Sequence, residues 1–563
     1  MEDELKAANS YFKITIQFFK AAVPIIFTVL FLYPIALSGL SGDDIPNSMR
    51  SAVLRINNWS RWEYIKLAVS QWKTNEGRFF PVSAIENVYM FDIIHSVSLY
   101  KAFQLFITVL MLTVAAIVVT KITETPKSFV LVLFVLVSCL QTRNWYDPTL
   151  SFGLLLQSVQ IKILFCIYSL CFFLNERGKR GIWFLACGIV LWILALLQYE
   201  VVVTLFPGLV LLIILRLGNK HHKRIAIFAL GIPTAIYISY VFRLRSGIAA
   251  SSTYTVNTDL AVSSITYLKQ MSGALPFSAI IWSRGARSLQ ASLSVLPLCL
   301  LFLLTATVFL AIRLRSSLLV VSTRNSIVLL VLGLNLLLGP GLTTALSPRW
   351  QSEVAWGLSY LSVSFAYTGI AFVSLAILFL ASRLVKPNSA ISKFVFSAFC
   401  LFFALAAISN QVLLNDNVSA SKGSKEQRDS YELAVRGGFL SSIPDSSIIV
   451  YSSYSENSWV NSYFTEWLNG PRKLVFVSTP EEALSVCNPE VLYKRCPMIF
   501  VLEYLSTHDL PSSLSLKVLS TNINQGLNMF YGRELLDKDL QELCSPLGTF
   551  LLVGKNTYSC SDS

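Results

Sequence analysis

The chain has 563 residues, of which 54% are apolar and only 14% are charged, and its mean hydropathy is +0.60. This composition excludes an ordinary soluble protein and predicts an α-helical polytopic membrane protein. The formal net charge of +13 would suit a nucleic-acid partner, but no nucleic acid is expected, because the basic residues recur between alternate pairs of apolar runs, as in cytoplasmic loops.

Apolar runs long enough to cross a hydrocarbon core of about 30 Å recur from residue 14 to residue 413. They predict about eleven transmembrane helices. The third is short for a span, and Gly339-Pro340-Gly341 is expected to break the ninth at its end. The predicted spans are 15–39, 99–120, 127–141, 158–174, 182–198, 201–216, 225–242, 291–312, 326–341, 360–381 and 394–413.

The loop charges predict a cytoplasmic N-terminus and an external first loop at 41–98. An odd number of spans then places the chain after residue 413 outside as well. Residues 1–413 are therefore predicted to form a transmembrane domain and residues 414–563 a soluble extracytoplasmic domain, joined by a polar linker at 415–428. The acidic start Met1-Glu2-Asp3-Glu4 and the long run after it predict a retained anchor rather than a cleaved signal.

The tail is predicted to be an α/β domain, because short apolar runs alternate with helix-like segments such as 480–487 and 533–543. The apolar runs are Ile448–Tyr451, Leu474–Val477, Met498–Leu502 and Phe550–Val553.

The tail also holds four of the ten cysteines, and an even number in one domain suits disulfides in an oxidising compartment. Cys487 with Cys496 and Cys544 with Cys560 is one of three possible pairings. Four unpaired thiols in a cytosolic domain remain the alternative. The other six, at 139, 166, 171, 187, 299 and 400, lie in apolar runs and are interpreted as packing residues.

Within the first outer loop, Trp59, Trp62, Ile65, Val69 and Trp72 recur at helical spacing on one face. They predict a helix that lies along the bilayer surface, with packing against protein as the alternative. The second outer loop, at 142–157, is predicted to be a surface or re-entrant segment.

Asp43 and Asp44 follow directly on the first span. A carboxylate fixed at an outer span end can accept a proton from a hydroxyl group or hold a divalent cation against a phosphate. Helix capping is the other interpretation, since Asp44 and Pro46 resemble a helix start.

Phosphate-bearing substrates require cations on the same side, and the external candidates are Arg78, Lys269 and Arg349, with Arg243 and Arg245 at a span end as weaker candidates. Glu200, which follows Tyr199 in a very short turn, is a functional candidate because a carboxylate at that depth is costly unless it is paired or faces a wet cavity. A structural ion pair with a neighbouring span is its alternative. Arg243 and Arg245 are interpreted as interfacial residues.

The combination of Ser41-Gly42-Asp43-Asp44, the Gly77-Arg78 turn, the Tyr199-Glu200 step and an external C-terminal domain resembles the GT-C superfamily of polytopic glycosyltransferases. Among these it is most similar to the bacterial enzymes that decorate O-antigen and other cell-surface polysaccharides. The likeness covers the membrane region and is strongest over residues 40–100.

The resemblance implies a glycosyltransferase of the bacterial inner membrane that uses a polyprenyl-phosphate sugar donor and a glycan or lipid-linked acceptor on the non-cytoplasmic side. Asp43 or Asp44 would be the general base, the reaction would invert the anomeric carbon, and Arg78, Tyr199, Glu200, Lys269 and Arg349 would contact the substrates. Members differ in whether they need a divalent cation such as Mg²⁺ or Mn²⁺. A flippase for lipid-linked saccharide and a polysaccharide polymerase or ligase are the alternatives.

Overall fold

The computed structural model describes residues 22–436, apart from 49, 95, 144–146, 153–154, 177, 217, 248–258, 283–320 and 386–388, together with six short strands after residue 436. The described part is mostly helical. The helices are α1 Ala22–Leu37, α2 Asp44–Asn47, α3 Arg50–Ile56, α4 Arg61–Glu76, α5 Pro81–Ile93, α6 Val97–Thr123, α7 Phe129–Cys139, α8 Leu155–Asn175, α9 Lys179–Leu196, α10 Glu200–Leu215, α11 Lys220–Arg245, α12 Leu260–Ser272, α13 Ser278–Trp282, α14 Thr323–Ala345, α15 Pro348–Glu353, α16 Val363–Leu384 and α17 Ala390–Arg436.

Seven of the described helices are long and apolar enough to cross a membrane, namely α6, α8, α9, α11, α14, α16 and the first 32 residues of α17. Three shorter apolar helices, α1, α7 and α10, also fall on predicted spans. These helices identify the chain as an integral membrane protein. The predicted span at 291–312 lies outside the described residues, so the count of about eleven remains a prediction.

The chain divides into two compact units. The first comprises residues 1–42, 65–90 and 98–420 and contains the apolar helices. The second comprises residues 43–64, 91–97 and 421–563.

The core of the first unit is formed around two helix pairs, α14 with α16 and α8 with α9. Where α14 crosses α16, a Cβ atom on Gly333 would lie 2.8 Å from the main-chain nitrogen of Val373 and 2.9 Å from the carbonyl oxygen of Gly369. Only glycine allows the two main chains to approach so closely, and small residues serve the same purpose in many membrane helix pairs.

The sequence Gly339-Pro340-Gly341 does not end its helix, contrary to prediction, because α14 continues to Ala345 with Pro340 inside it. A Cβ on Gly339 would lie 2.9 Å from the carbonyl oxygen of Thr204, and one on Gly341 would lie 3.2 Å from the ring of Tyr267. The glycines therefore allow close contacts with neighbouring helices, and tertiary packing sustains the helix through the proline.

The polar segment predicted as a linker at 415–428 is helical, because α17 runs through it as one helix of 47 residues. The segment contains no proline and is rich in residues that favour helix, such as alanine, lysine and glutamate. Low hydropathy ends the membrane-spanning part of this helix, but it does not end the helix itself.

The loop at 142–157 is not a surface segment where it is described, because residues 147–152 are largely buried in the first unit. The alternative, a re-entrant segment, remains a prediction. The carboxylate of Asp147 accepts hydrogen bonds from the main-chain N–H groups of Thr149 and Leu150, both at 2.6 Å, and from that of Arg143. Arg143 in turn donates to the hydroxyl group of Tyr367 at 2.7 Å. These bonds supply the polar partners that a buried loop needs.

The tryptophan face predicted in the first outer loop lies largely on α4. Ile65 is buried, Trp72 packs edge-on against Phe80 at 5.9 Å between ring centroids, and the side chain of Trp62 is 56% exposed. The helix is confirmed, and its location at the bilayer surface remains a prediction.

The second unit contains α2, α3 and a mixed sheet of short strands. Strand β1 pairs in parallel with β2 and β3, β3 pairs in parallel with β5 and antiparallel with β4, and β5 pairs antiparallel with β6. Strands therefore occupy the four apolar runs predicted in the tail, whereas the predicted helices at 480–487 and 533–543 lie outside the described residues. The strands are β1 Ile448–Tyr451, β2 Val475–Val477, β3 Ile499–Leu505, β4 Met529–Tyr531, β5 Phe550–Leu551 and β6 Thr557–Tyr558.

Candidate functional site

Glu200 joins two arginines at one end of the helix pair α10 and α11. It is the first residue of α10, and Arg245 is the last residue of α11, so the antiparallel pair brings them to the same end. Glu200 Oε2 lies 2.9 Å from an Nη atom of Arg245, and its Oε1 lies 3.4 Å from Nε of Arg78. A carboxylate at a helix N-terminus and a guanidinium at a helix C-terminus are each favoured by the helix dipole.

A glycine turn directs Arg78 towards Glu200. Gly77 follows α4 with φ +60°, a conformation that glycine adopts without steric cost. The main-chain N–H of Arg78 donates to the carbonyl oxygen of Trp72 at 3.1 Å. The hydroxyl group of Tyr237 on α11 donates to the carbonyl oxygen of Phe79 at 3.4 Å. The turn is thus fixed on both sides, and the Gly77-Arg78 pair selected from the sequence has a defined geometry.

Glu76 and Arg349 extend this group of charges. Glu76 Oε2 lies 3.6 Å from an Nη atom of Arg78. Burial raises the pKa of Glu76 above its usual range, and the positive charges of Arg78 and Arg349 act in the opposite direction. Arg349 is therefore within electrostatic range of Glu76, and it also pairs with Glu353 at 3.1 Å. Arg78, Arg245, Arg349, Glu76 and Glu200 are called the arginine cluster below.

Aromatic rings support the cluster. The guanidinium group of Arg78 lies 4.4 Å from the ring centroid of Phe80, and that of Arg349 lies 4.6 Å from the ring of Trp350. Tyr199 is only 5% exposed and lies 6.4 Å from Phe80 between ring centroids. Burial raises the pKa of Tyr199, so its phenol is uncharged at neutral pH. Tyr199 is therefore a buried residue next to the cluster.

Arginines at the opposite end of the helices have different partners. Arg216 donates to the carbonyl oxygens of Ile122 and Lys121 at 3.0 and 3.3 Å, and Arg383 donates to that of Val321 at 2.9 Å. Those side chains mainly satisfy main-chain carbonyl groups, which is a structural role, although Arg216 also lies 3.9 Å from a carboxylate oxygen of Glu124. In the arginine cluster the recorded ion pairs are to carboxylates, and guanidinium groups held in this way can also bind phosphate through their remaining N–H donors.

Two further predicted residues lie on the second unit. Asp43 is exposed and immediately precedes α2, and its side chain makes no capping hydrogen bond. Asp44 is the first residue of α2 and is fully buried. Asp44 and Pro46 thus lie at a helix start, as the sequence suggests. Asp43 and Asp44 belong to a different unit from the arginine cluster.

Lys269 is not shown to join the other candidates. It lies half-buried on α12, and none of the ion pairs between described residues involves it. Arg78, Glu200, Tyr199 and Arg349 are thus gathered around one point of the first unit, and Lys269 is a separate candidate.

Comparison with solved structures gives matches of low similarity. The chain is similar to the archaeal oligosaccharyltransferase AglB from Archaeoglobus fulgidus. The TM-score is 0.36 for its apo form, with 13% identity over 81% of this chain, and 0.36 for the form tethered to an acceptor peptide, with 12% identity over 82%. A third structure, in complex with an inhibitory peptide and a dolichol-phosphate, gives 0.36 at 13% identity over 81%.

The chain spans 64% of the length of each of these oligosaccharyltransferase chains. A TM-score of this size does not establish a shared fold, so the function is argued from the residues alone. No protein-family model and no curated protein matches the chain. The resemblance to bacterial O-antigen enzymes remains a prediction.

Sequence reasoning ranked Arg245 below the other candidates and did not select Glu76. Arg245 was interpreted as an interfacial residue together with Arg243, but its ion pair with Glu200 places it in the cluster. The signal was available, because Glu200 and Arg245 occupy the outer ends of two consecutive predicted spans, which must lie on the same side of the membrane. Nothing in the sequence distinguishes Arg245 from Arg243.

The described residues do not test the predictions of a metal ion and of disulfides. Among the residues that the structure describes, no group of three or more histidine, cysteine, aspartate or glutamate side chains is arranged to hold a metal ion. Cys487, Cys496, Cys544 and Cys560 lie outside the described residues. Cys139, Cys166, Cys171 and Cys400 are buried free thiols, as expected of packing residues, whereas Cys187 is exposed.

Proposed function

We propose that the protein is a membrane glycosyltransferase that transfers a sugar from a polyprenyl-phosphate donor to a glycan or lipid-linked acceptor. The arginine cluster supports this proposal most strongly. It concentrates three guanidinium groups where the ends of membrane helices meet, and lipid phosphates lie at that depth of a bilayer. Its two carboxylates, Glu76 and Glu200, offset only part of this positive charge, so an anionic phosphate is the natural additional ligand.

Arg78 and Arg245 are proposed to bind the donor phosphate, with Glu200 holding both guanidinium groups in position. Each ion pair with Glu200 uses one nitrogen of a guanidinium group, which has five N–H donors. Arg349 and Lys269 are proposed as further phosphate contacts. As the bond between the anomeric carbon and the phosphate oxygen breaks, negative charge grows on the phosphate, and fixed cations stabilise that charge.

Asp43 or Asp44 is proposed as the general base. The acceptor hydroxyl group gives its proton to the carboxylate, its oxygen bonds to the anomeric carbon, and the polyprenyl phosphate leaves with the bonding electron pair. The configuration at the anomeric carbon inverts in this single displacement. Asp43 is the better candidate for contact with the acceptor because its side chain is exposed, whereas Asp44 is buried.

The finer parts of the proposal follow from the sequence resemblance. They are a hexose such as glucose as the sugar, an O-antigen or lipopolysaccharide acceptor, the non-cytoplasmic face of a bacterial inner membrane as the location, and Mg²⁺ or Mn²⁺ as an optional cation. The arginine cluster does not depend on any of these choices.

The test is a comparison of surface glycans in cells with the native gene, without it, and with Asp43→Asn or Asp44→Asn. Deletion should remove one sugar from a surface glycan, as measured by mass spectrometry of that glycan. The variant that lacks the base should reproduce the deletion while the protein still inserts into the membrane. If deletion removes a sugar and both variants restore it fully, neither aspartate is the base.

A further inference from the structure

A second polar cluster lies within the first unit, between α5, α8 and the turn that precedes α10. It consists of Glu86, Ser158, Lys162 and Gln198. The side chain of Lys162 is 14% exposed and that of Glu86 is 28% exposed. Lys162 lies inside a membrane-spanning helix, where a charged side chain is costly unless it is paired. The cluster is therefore a candidate for a specific role.

The hydrogen bonds of this cluster form a closed set. Lys162 Nζ donates to Glu86 Oε1 at 2.6 Å, to Ser158 Oγ at 2.5 Å and to Gln198 Oε1 at 2.7 Å. Glu86 Oε2 accepts from Ser158 Oγ at 2.9 Å and from Gln198 Nε2 at 2.6 Å. All three protons of the ammonium group and both carboxylate oxygens are used inside the cluster. It is therefore built to hold its own elements together rather than to bind a ligand.

The elements that it holds are those that carry Arg78 and Glu200. Arg78 precedes the start of α5 by three residues, and Glu86 lies on α5. Glu200 follows Gln198 by two residues. A main-chain hydrogen bond from Val82 N–H to the carbonyl oxygen of Leu197, at 3.2 Å, joins the same two segments.

We propose that Glu86 and Lys162 are positioning residues, which fix α5 against the 197–200 turn and so set the geometry of the Arg78–Glu200 ion pair. This inference rests on the proposed function, because the site being positioned is the proposed phosphate site. Neutralising either charge leaves the other half-buried and only partly satisfied, which loosens the contact between α5 and the turn. The distance between the guanidinium group of Arg78 and the carboxylate of Glu200 is then no longer fixed.

The experiment uses the purified full chain in detergent with undecaprenyl monophosphate as the probe. The variants are Glu86→Gln, Lys162→Met and the conservative Lys162→Arg. Gln160→Leu is the matched control, because Gln160 is a buried polar residue of the same helix, α8, whose partners Ser364 and Thr368 lie on α16. Each protein is measured for probe affinity and for apparent melting temperature.

A second readout reports on the turn without any ligand. Val82→Cys and Leu197→Cys are introduced together, since their main-chain hydrogen bond holds these positions close enough to test for a disulfide. Formation of the linked peptide is followed by mass spectrometry, which separates it from products of the native cysteines. The pair is placed in the wild-type, Glu86→Gln and Gln160→Leu backgrounds.

Glu86→Gln and Lys162→Met are expected to lower probe affinity about tenfold or more, corresponding to about 1.4 kcal/mol, and Glu86→Gln to slow disulfide formation. Lys162→Arg should restore affinity close to the wild-type value. Gln160→Leu should lower the melting temperature while leaving affinity and disulfide formation unchanged. The inference is overturned if Glu86→Gln and Lys162→Met keep wild-type affinity and Glu86→Gln keeps the wild-type rate of disulfide formation. It is also overturned if these losses are only as large as those of Gln160→Leu at an equal loss of melting temperature.

Failure of the proposed function would give a different result. If the wild-type chain does not bind the probe, but Glu86→Gln still slows the disulfide between positions 82 and 197, the cluster positions the turn and the phosphate site is wrong. If Arg245→Met loses affinity while Glu86→Gln does not, the phosphate site stands and the positioning role is wrong.

Discussion

The carboxylate of Asp147 is held by main-chain N–H groups, whereas that of Glu200 is held by arginine side chains. The first arrangement fixes a loop, and the second fixes two cations relative to one another. The partners of a buried charged side chain therefore separate structural residues from candidate functional ones more clearly than its depth does. Arg216 and Arg383 likewise donate mainly to main-chain carbonyl groups, whereas Arg78 and Arg245 both pair with Glu200.

The pH dependence of stability should carry a contribution from Asp147. Burial raises its pKa to about 6, although its main-chain partners and Arg143 lower it. A carboxyl group with a raised pKa binds its proton more tightly in the folded state. Its contribution to stability is therefore complete at low pH and is lost as the pH rises from about 4 through about 6.

Lowering the pH from 7.5 to 5 should thus stabilise the wild-type protein by about 1 to 2 kcal/mol more than the Asp147→Asn variant. The measurement is the apparent melting temperature of both proteins in detergent at the two pH values. Because all other titrating groups are common to the two proteins, their difference isolates Asp147. An identical pH response of the two proteins would show that the pKa of Asp147 is the same in the folded and unfolded states.

At the scale of helices, the crossing of α14 and α16 depends on the absence of a side chain at Gly333. Gly333→Ala would place its Cβ atom 2.8 Å from the main-chain nitrogen of Val373, which is too close for either helix to stay where it is. We expect a loss of about 1 to 3 kcal/mol, as for other overpacked cores, and a lower apparent melting temperature.

The control for that substitution is Gly188→Ala on α9. Its Cβ atom would lie 3.6 Å from Cβ of Ser169, an ordinary van der Waals contact. The control should melt close to the wild-type temperature. Equal effects of the two substitutions would mean that helix flexibility, rather than the close crossing, determines the loss.

The sequence predicts where apolar helices lie far better than where helices end. Hydropathy locates the ten spans that overlap described apolar helices because each needs a long apolar run. Hydropathy does not show that the helices continue through Pro340 and through residues 415–428, where packing and helix propensity sustain them. The local sequence pattern does not predict which other segments of the chain a helix will contact.

The candidate site was predictable to a similar degree. Arg78, Glu200 and Arg349 stand out as charges at external span ends, and the structure gathers them. The choice between Arg243 and Arg245 depends on the rotation of α11, and the Glu86–Lys162 pair depends on contacts far apart in the chain. Neither can be read from local spacing, although a lysine inside a predicted span was itself a signal.

At the scale of the whole molecule, the loop charges predict which side of the membrane each loop faces. A phosphatase reporter that is active only outside the cytoplasm should be active when fused after Gly247 or after residue 436 and inactive after Asn219. Enzymatic activity of each fusion, normalised to its expression, is the measurement. Activity after Asn219 together with inactivity after Gly247 would invert the predicted orientation and place the arginine cluster on the cytoplasmic side.

Binding of undecaprenyl monophosphate to the purified full chain tests the central claim most directly. Arg245→Met should weaken binding about 10- to 100-fold, because a hydrogen bond to a charged group contributes about 1.5 to 3 kcal/mol. Arg243→Met is the matched control, since Arg243 lies two residues away on the same helix end, is exposed, and makes none of the ion pairs between described residues. The account predicts near wild-type affinity for Arg243→Met and a clear loss for Arg245→Met and for Arg78→Met, at melting temperatures close to that of the wild type. Equal affinity in all four proteins would contradict it.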